Sequence, residues 1–211
     1  MEKSYKYLGY FLILLIPLSF AGFYKTYIVQ FPYFDKKIDL FIHLHAFIAS
    51  VWIFMLIVQP VLVLKKQFPL HRVIGKFSYV AFPLLILSFV PQMIKTVSSG
   101  ETENLFFPLG SAVLLIVFYS LAIYYRRTTP NHMRYMIATS LVFLGPTIAR
   151  IGTIYFGWSG FFTLSLHYII IYMILIFLIR YDRIKKKNYE PYIITLGCFV
   201  IHHSVYCFMF M

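Results

Sequence analysis

Histidine is the residue type in this chain with the widest chemical use, and its seven copies lie largely within long apolar stretches. An imidazole ring can ligate haem iron or another metal, and it changes its protonation near neutral pH. Ionisable side chains are costly inside a lipid bilayer, so each one in an apolar stretch is a candidate functional residue. The seven acidic residues lie instead in connections or near the ends of stretches, which disfavours a proton relay of carboxylates. Chemistry is therefore expected from histidine, and no catalytic residue is assigned.

The histidines form two groups by depth along their apolar stretches. His71 and His132 each follow a proline by two residues, at the start of a predicted helix, with Arg72 and Arg134 beside them. A second group lies near the opposite ends of its stretches, about 9–14 Å inside by the rise of a helix. That group consists of His45, Arg150, His167, His202 and His203.

One face of the second stretch carries polar and aromatic residues at regular spacing. His45, Trp52 and Gln59 recur every seven residues, which places them on the same side of a helix. His43 is two positions from His45 and points elsewhere, so one of these two histidines is expected to face lipid or head groups.

Two levels of histidine resemble the multi-helix cytochromes b, in which two histidines from different helices hold each haem. The resemblance implies His71 and His132 as ligands of an inner haem b, with Arg72 and Arg134 pairing with its propionates. The expected role is electron transfer or haem handling, with a redox partner. For an outer haem, the resemblance implies ligands drawn from His45, His167, His202 and His203. Arg150 would then meet a propionate or a ligand.

Several short motifs are spread over about residues 41–150. They resemble uncharacterised bacterial predicted membrane proteins with a His-Arg-x-x-Gly helix start. This resemblance implies a helical bundle in a bacterial inner membrane that is a candidate for binding haem or a metal. The motifs are His43-Leu-His45, Trp52, Gln59-Pro60, His71-Arg72-x-x-Gly75, His132-x-Arg134-x-Met136 and Gly145-Pro146-x-x-x-Arg150.

Two other functions remain open. Histidines of the outer group could bind zinc or copper in a membrane enzyme or metal-transfer factor. A zinc hydrolase is disfavoured because no aspartate lies within an apolar stretch. In addition, His202 and His203 are adjacent, so they point about 100° apart on a helix. The chain could instead be a non-catalytic accessory subunit of a larger inner-membrane complex, since its connections are short. The candidate metal ligands are His45, His71, His132, His167, His202 and His203.

The composition decides the class of protein. Hydrophobic residues make up 61% of the chain and charged residues 12%, whereas a soluble domain has about 45–50% and about 25%. Such a chain could not solvate the surface of a soluble domain, and it is too apolar for intrinsic disorder. Two cysteines, Cys198 and Cys207, are too few for a disulfide scaffold. An integral membrane protein in contact with the lipid bilayer is therefore predicted.

Seven stretches are long and apolar enough to cross a membrane as helices. Together they use nearly the whole chain, so we predict one all-α domain over residues 1–211, a bundle of seven transmembrane helices. Asp39 and Thr129 are expected to cap helix starts, and Pro83, Pro91 and Pro146 to kink their helices. The stretches are 8–28, 39–64, 69–97, 105–125, 130–156, 161–180 and 191–211.

Basic residues are concentrated at alternate helix ends. Fourteen Lys and Arg lie at the N-terminus and in the second, fourth and sixth connections, and four on the opposite side. The positive-inside rule then places the N-terminus in the cytoplasm and the C-terminus outside, in a multi-pass inner-membrane protein. The net charge of +12 is therefore expected to meet lipid head groups, and no nucleic-acid partner is predicted.

A weak internal repeat accompanies these charges. Residues 65–71 read Lys-Lys-x-x-Pro-x-His, and residues 126–132 read Arg-Arg-x-x-Pro-x-His, 61 positions later. The repeat is compatible with a duplicated hairpin and also with basic residues that end one helix before a proline starts the next.

Overall fold

The structure is a computed structural model that describes residues 5–34 and 38–210. Every regular element in those two ranges is helical, which confirms the all-α prediction. Several residues used in the topology prediction, Lys3, Lys36, Lys37 and Met211, lie outside the described part of the chain.

The described residues form ten α-helices, α1 to α10 in chain order. The first seven are α1 (Leu8–Leu12), α2 (Leu15–Tyr24), α3 (Leu40–Leu64), α4 (Phe68–Leu87), α5 (Val90–Ser98), α6 (Phe106–Tyr124) and α7 (Thr129–Val142). The last three are α8 (Leu144–Tyr155), α9 (Gly160–Ile184) and α10 (Glu190–Phe210). Short 3₁₀ turns at Ile28–Gln30 and Thr102–Leu105 precede α3 and α6.

Long apolar helices make the chain a multi-pass membrane protein. Within the described residues, six segments are long and apolar enough to cross a bilayer, and Leu8–Tyr24 is a shorter apolar segment. The six are Leu40–Leu64, Phe68–Ser98, Thr102–Tyr124, Thr129–Tyr155, Gly160–Ile184 and Glu190–Phe210.

Prolines explain where three apolar segments are interrupted. A proline lacks the N–H that would bond to the carbonyl four residues earlier, and its ring crowds that carbonyl. Pro91 and Pro146 stand four residues after the last residues of α4 and α7, Leu87 and Val142, and Pro17 stands five residues after Leu12, the last residue of α1. The predicted kinks at Pro91 and Pro146 are therefore helix breaks. Pro83 lies inside α4 without ending it.

The helix caps were predicted in part. Asp39 caps α3 as expected, since its Oδ1 accepts a hydrogen bond from the backbone N–H of Ile42 at 3.0 Å. The prediction for Thr129 is wrong, because α7 already begins at that residue and its cap position is Thr128, which makes no side-chain cap bond. Ser159 caps α9 through a bond from Phe162 N–H at 3.2 Å.

Helices α3 and α9 each end in a turn of the same backbone conformation. Lys66 after α3 has φ 59°, and Lys186 after α9 has φ 52°. In both turns the N–H of the next residue donates at 2.8 Å to the carbonyl five residues earlier, which satisfies a carbonyl left open at the helix end. The 61-residue spacing of the sequence repeat also separates two helix starts, because α4 begins at Phe68 and α7 at Thr129.

Contacts divide the chain into two compact units. The first comprises Met1–Phe20 and Thr26–Ala112, and the second comprises Ala21–Lys25 and Val113–Met211. The single domain over residues 1–211 stays a prediction.

In the first unit, the segment before α3 runs antiparallel to that helix. Gly9 lies against Val61, where an added Cβ would come within 2.6 Å of the valine Cγ2. The hydroxyl of Tyr27, eighteen positions after Gly9, bonds to Nδ1 of His43, eighteen positions before Val61. The two segments therefore run in opposite directions. The core of this unit includes Trp52, whose ring centroid is 5.3 Å from that of Phe82 on α4.

In the second unit, the broken segment α7–α8 is the most deeply buried of the candidate spans. Fifty-six per cent of its most apolar window is buried, against 17–33% for the other five spans. Helix α8 packs on α9 through Gly152, where an added Cβ would overlap the side chain of Thr163. Helix α9 packs in turn on α10, with Ile171, Leu175 and Phe199 buried.

Candidate functional site

The candidate histidines are divided between the two units. His45 and His71 belong to the first unit, and His132, His167, His202 and His203 belong to the second. The predicted pairing of His71 with His132 joins residues of different units and stays a prediction.

His45 is held by the break between α4 and α5. Its Nδ1 lies 2.8 Å from the hydroxyl of Ser88, which donates its own hydrogen to the carbonyl of Leu85 at 2.6 Å. The hydroxyl must therefore accept from His45, so Nδ1 carries the hydrogen and Nε2 carries the lone pair of the neutral ring. The ring also meets Phe89 edge-on at 4.7 Å.

The stripe of His45, Trp52 and Gln59 packs on the α4–α5 segment. His45 contacts Ser88, Trp52 contacts Phe82, and Gln59 Nε2 donates to the backbone carbonyl of His71 at 3.2 Å. The regular spacing therefore marks a helix-packing face of α3.

His43 points away from that stripe. Its Nδ1 lies 2.6 Å from the Tyr27 hydroxyl, and its ring meets Phe34 edge-on at 4.6 Å. Burial raises the pKa of the Tyr27 phenol, so the hydroxyl stays protonated and can donate to His43. His43 is half-buried among aromatic rings, and the expectation that one of the two neighbouring histidines faces lipid or head groups stays a prediction.

His71 and Arg72 lie in the first turn of α4. The carbonyl of His71 is the acceptor for Gln59, whereas the side chain of Arg72 is exposed. Gly75, one turn further along α4, leaves Gln59 Nε2 3.7 Å from the position that a Cβ would occupy. The His-Arg-x-x-Gly start of α4 therefore receives the amide of Gln59 from α3.

His132 has one tautomer. Its Nδ1 lies 2.8 Å from the backbone carbonyl of Ala122, which can only accept. The hydrogen is therefore on Nδ1, and the lone pair of the neutral ring is on Nε2. A histidine that donates from one ring nitrogen to a carbonyl and offers the other has the orientation typical of metal ligands.

Arg134 does not extend towards a cofactor in this structure. Its Nε donates to Asp182 Oδ2 at 2.7 Å and its Nη1 donates to the carbonyl of Pro130 at 2.9 Å. Both charged side chains are completely buried, and the guanidinium lies 5.8 Å from the ring centroid of Tyr192. Arg134, the predicted partner of a haem propionate, is therefore already paired with Asp182, an acid that the sequence prediction placed near a helix end.

His167 is the least satisfied of the candidate residues. It is 6% exposed, and neither ring nitrogen has a hydrogen-bond partner among the described residues. Its Cε1 and Nε2 lie 3.2 Å from the position that a Cβ on Gly145 would occupy, next to the break at Pro146. Glycine at 145 therefore gives this ring its space against α8.

His202 and His203 face two tyrosines one turn apart on α9. Tyr168 bonds to His202 Nδ1 at 2.6 Å, and Tyr172 bonds to His203 Nδ1 at 3.0 Å. The rings of Tyr168 and His203 are also stacked, with centroids 4.1 Å apart. The two adjacent histidines bond to different hydroxyls, and each ring uses Nδ1 for that bond.

Arg150 lies in α8, in the membrane-spanning segment Thr129–Tyr155. Its Nη1 donates to the carbonyl of Pro146 at 3.0 Å, and its guanidinium lies 4.4 Å from the ring centroid of Phe23. It makes no salt bridge among the described residues.

Sequence reasoning missed the partners of these residues. Asp182, Tyr168 and Tyr172 were not singled out, although the two tyrosines stand four residues apart on one helix face. That spacing, opposite a pair of histidines, was the available signal.

Within residues 5–34 and 38–210, no group of three or more His, Cys, Asp or Glu lies close enough together to hold a metal ion. The candidate zinc or copper ligands are therefore not assembled as a set of three in that part of the chain. No family model, curated protein or solved structure matches this chain.

Proposed function

We propose that the protein is a seven-helix inner-membrane protein that binds haem b through histidines of its second unit, for electron transfer or haem handling. The observation that carries the proposal is His167, a buried imidazole with no hydrogen-bond partner for either nitrogen among the described residues.

A buried polar group without a partner is costly, by about 1–3 kcal/mol, and such groups in native proteins call for an explanation. A bound metal centre is one such explanation, since it would give one ring nitrogen of His167 a ligand bond. The Cε1–Nε2 edge of the ring packs closely on Gly145, where a side chain would not fit.

Other histidines of the second unit offer further donors. His202 and His203 lie on α10, and their Nδ1 atoms are held by tyrosines, while His132 is held by a carbonyl. Such outer partners fix the orientation of a ligating ring. A haem needs only one or two protein ligands, because its porphyrin supplies four, so it does not require a group of three. When bound, it would supply one-electron chemistry.

The seven-helix count rests on the segment Leu8–Tyr24. It runs antiparallel to α3 between the contact at Gly9 and the hydrogen bond of Tyr27, over eighteen positions in both segments. Eighteen helical residues rise about 27 Å, close to the thickness of the hydrocarbon core. The distribution of basic residues supports a cytoplasmic N-terminus and an external C-terminus.

An absorption spectrum of protein purified in mild detergent, oxidised and then reduced with dithionite, tests the proposal. We expect a Soret band and sharp α and β bands after reduction, and we expect His167→Ala to weaken or shift them. His43→Ala is the matched control, because that ring bonds to Tyr27 and is not a proposed ligand.

A flat spectrum from well-folded protein expressed with ample haem would overturn the haem proposal. Zinc and copper analysis of the same sample then separates the two remaining functions. A stoichiometric metal would favour the metal-dependent enzyme or transfer factor, and stable co-purification with other membrane chains would favour the accessory subunit.

A further inference from the structure

Arg150 is a cation in a helical segment that is long and apolar enough to span a membrane. It stands five residues before the end of α8, about 7.5 Å by helical rise. No carboxylate among the described residues forms a salt bridge with it. Charged side chains at such positions are rare and normally pair with another group.

The arginine does not extend towards the nearer end of its helix. Its Nη1 bonds to the carbonyl of Pro146, one turn further from the end at Tyr155. A long basic side chain that only needed water would be expected to point towards the interface. The guanidinium is thus held back along α8.

Aromatic rings, not acids, meet the cations at this place. The segment Ala21–Lys25 packs on α8, with Gly22 close to the backbone of Thr147. Arg150 lies 4.4 Å from the ring centroid of Phe23, and Lys25 Nζ lies 4.4 Å from the ring centroid of Tyr155. Each segment therefore supplies one cation and one aromatic ring to the same contact.

The acids of the second unit are at the other end of the α7–α8 segment. They are Asp182 and Glu190. Asp182 is bonded to Arg134, sixteen positions before Arg150, and Glu190 begins α10 two residues before Tyr192, which lies beside that same arginine. Sixteen helical residues correspond to about 24 Å, so these carboxylates do not neutralise Arg150.

The unused N–H groups of the guanidinium define the ligand chemistry. Arginine has five N–H donors in one plane, and Arg150 directs a bond to one acceptor, Pro146, while Phe23 lies close to the guanidinium. A planar fork of donors matches the two oxygens of a carboxylate or phosphate. Lys25 adds a second positive charge on the same contact.

We propose that Arg150, assisted by Lys25, binds the oxyanion of a small ligand or a lipid, a phosphate or carboxylate group, at the contact between Ala21–Lys25 and α8. The site uses none of the proposed histidine ligands, but a haem propionate is itself a carboxylate and is the partner that the resemblance to cytochromes b implies for Arg150, so the test is made on haem-free protein.

The test is thermal unfolding of the purified full chain in a neutral, phosphate-free detergent. The probes are inorganic phosphate, phosphatidylglycerol and laurate, with monoolein as the uncharged amphiphile. We expect one or more anionic probes to raise the melting temperature by about 2–4 °C near saturation, and monoolein to have no such effect. A response to inorganic phosphate identifies a soluble anion as sufficient, whereas a response restricted to phosphatidylglycerol or laurate identifies an amphiphile.

Arg150→Gln should abolish the response, and Arg150→Lys should retain part of it. Arg127→Gln is the matched control, because it removes an exposed charge in the connection before α7. If Arg150→Gln does not fold, Lys25→Gln, whose side chain is exposed, should still lower the affinity for the anion. An unchanged melting temperature with every anionic probe, or an equal response in Arg150→Gln, would overturn the inference.

Discussion

Arg134 and Asp182 form a completely buried ion pair, with Nε and Oδ2 2.7 Å apart, between the first turns of α7 and the last turn of α9. The arginine also bonds to the carbonyl of Pro130 and lies beside the ring of Tyr192 on α10. Three helices of the second unit are therefore joined at one charged contact.

Removing either partner of this pair should strongly destabilise the protein. Arg134→Met leaves a buried carboxylate and Asp182→Leu leaves a buried guanidinium, and breaking such a pair costs about 3–5 kcal/mol. The double variant Arg134→Met/Asp182→Leu should be much less destabilised than the sum of the two, because no uncompensated charge remains. The measurement is the free energy of unfolding in detergent for the wild type, the two single variants and the double variant.

The exposed pair Lys95–Asp39 is the control for this cycle. Its charged atoms are 3.7 Å apart and its side chains are 57% and 45% exposed. Neutralising Lys95 should cost less than about 1 kcal/mol, since exposed ion pairs contribute little. Equal losses in the free energy of unfolding at the two pairs would show that burial does not determine how much Arg134 and Asp182 contribute to stability.

The helices could be predicted from the sequence because their causes are local. Apolar length specified the long segments, and the missing N–H of Pro91 and Pro146 accounts for helix breaks near the predicted kinks. The extent of the first stretch was overestimated, since α2 ends at Tyr24 and not near Ile28. Pro17, which interrupts this segment, was not included among the predicted kinks.

The contacts of the candidate residues could not be predicted in the same way. Arg134 and Asp182 are 48 positions apart, and helical periodicity gives only the face of each residue, not the helix that it meets. The depth of His167 could be estimated from its position in the stretch. Its lack of a hydrogen-bond partner among the described residues depends on the packing of α8 against α9, which no local pattern contains.

Gly152 should tolerate no larger side chain, because its close approach to Thr163 sets the α8–α9 contact. A Cβ at this position would overlap the threonine Cγ2, and forced overpacking costs about 1–3 kcal/mol. Gly152→Ala should therefore lower the melting temperature, and adding Thr163→Ser should restore part of it by removing that methyl group. Gly197→Ala is the control, since nothing lies within 4 Å of its added Cβ, and it should be neutral or stabilising.

The turn after α9 should be improved by glycine. Lys186 has φ 52°, a left-handed conformation that costs an L-residue about 1–2 kcal/mol and that glycine adopts freely. Lys186→Gly should raise the free energy of unfolding by about 1 kcal/mol, as measured in detergent. Lys185→Gly removes the same charge at φ −81°, where glycine gives no relief, and it should destabilise. A loss of stability in both variants would contradict the prediction.

His167→Phe should have opposite effects with and without a bound cofactor. In cofactor-free protein the substitution replaces a buried ring that lacks polar partners among the described residues by an apolar ring of similar shape, so we expect a higher melting temperature. In haem-loaded protein it removes a proposed ligand, so the melting temperature should fall below that of the loaded wild type. His43→Phe is the control, because it breaks the bond to Tyr27 and should destabilise both forms. A destabilised His167→Phe in cofactor-free protein would mean that the imidazole makes a favourable polar contact of its own.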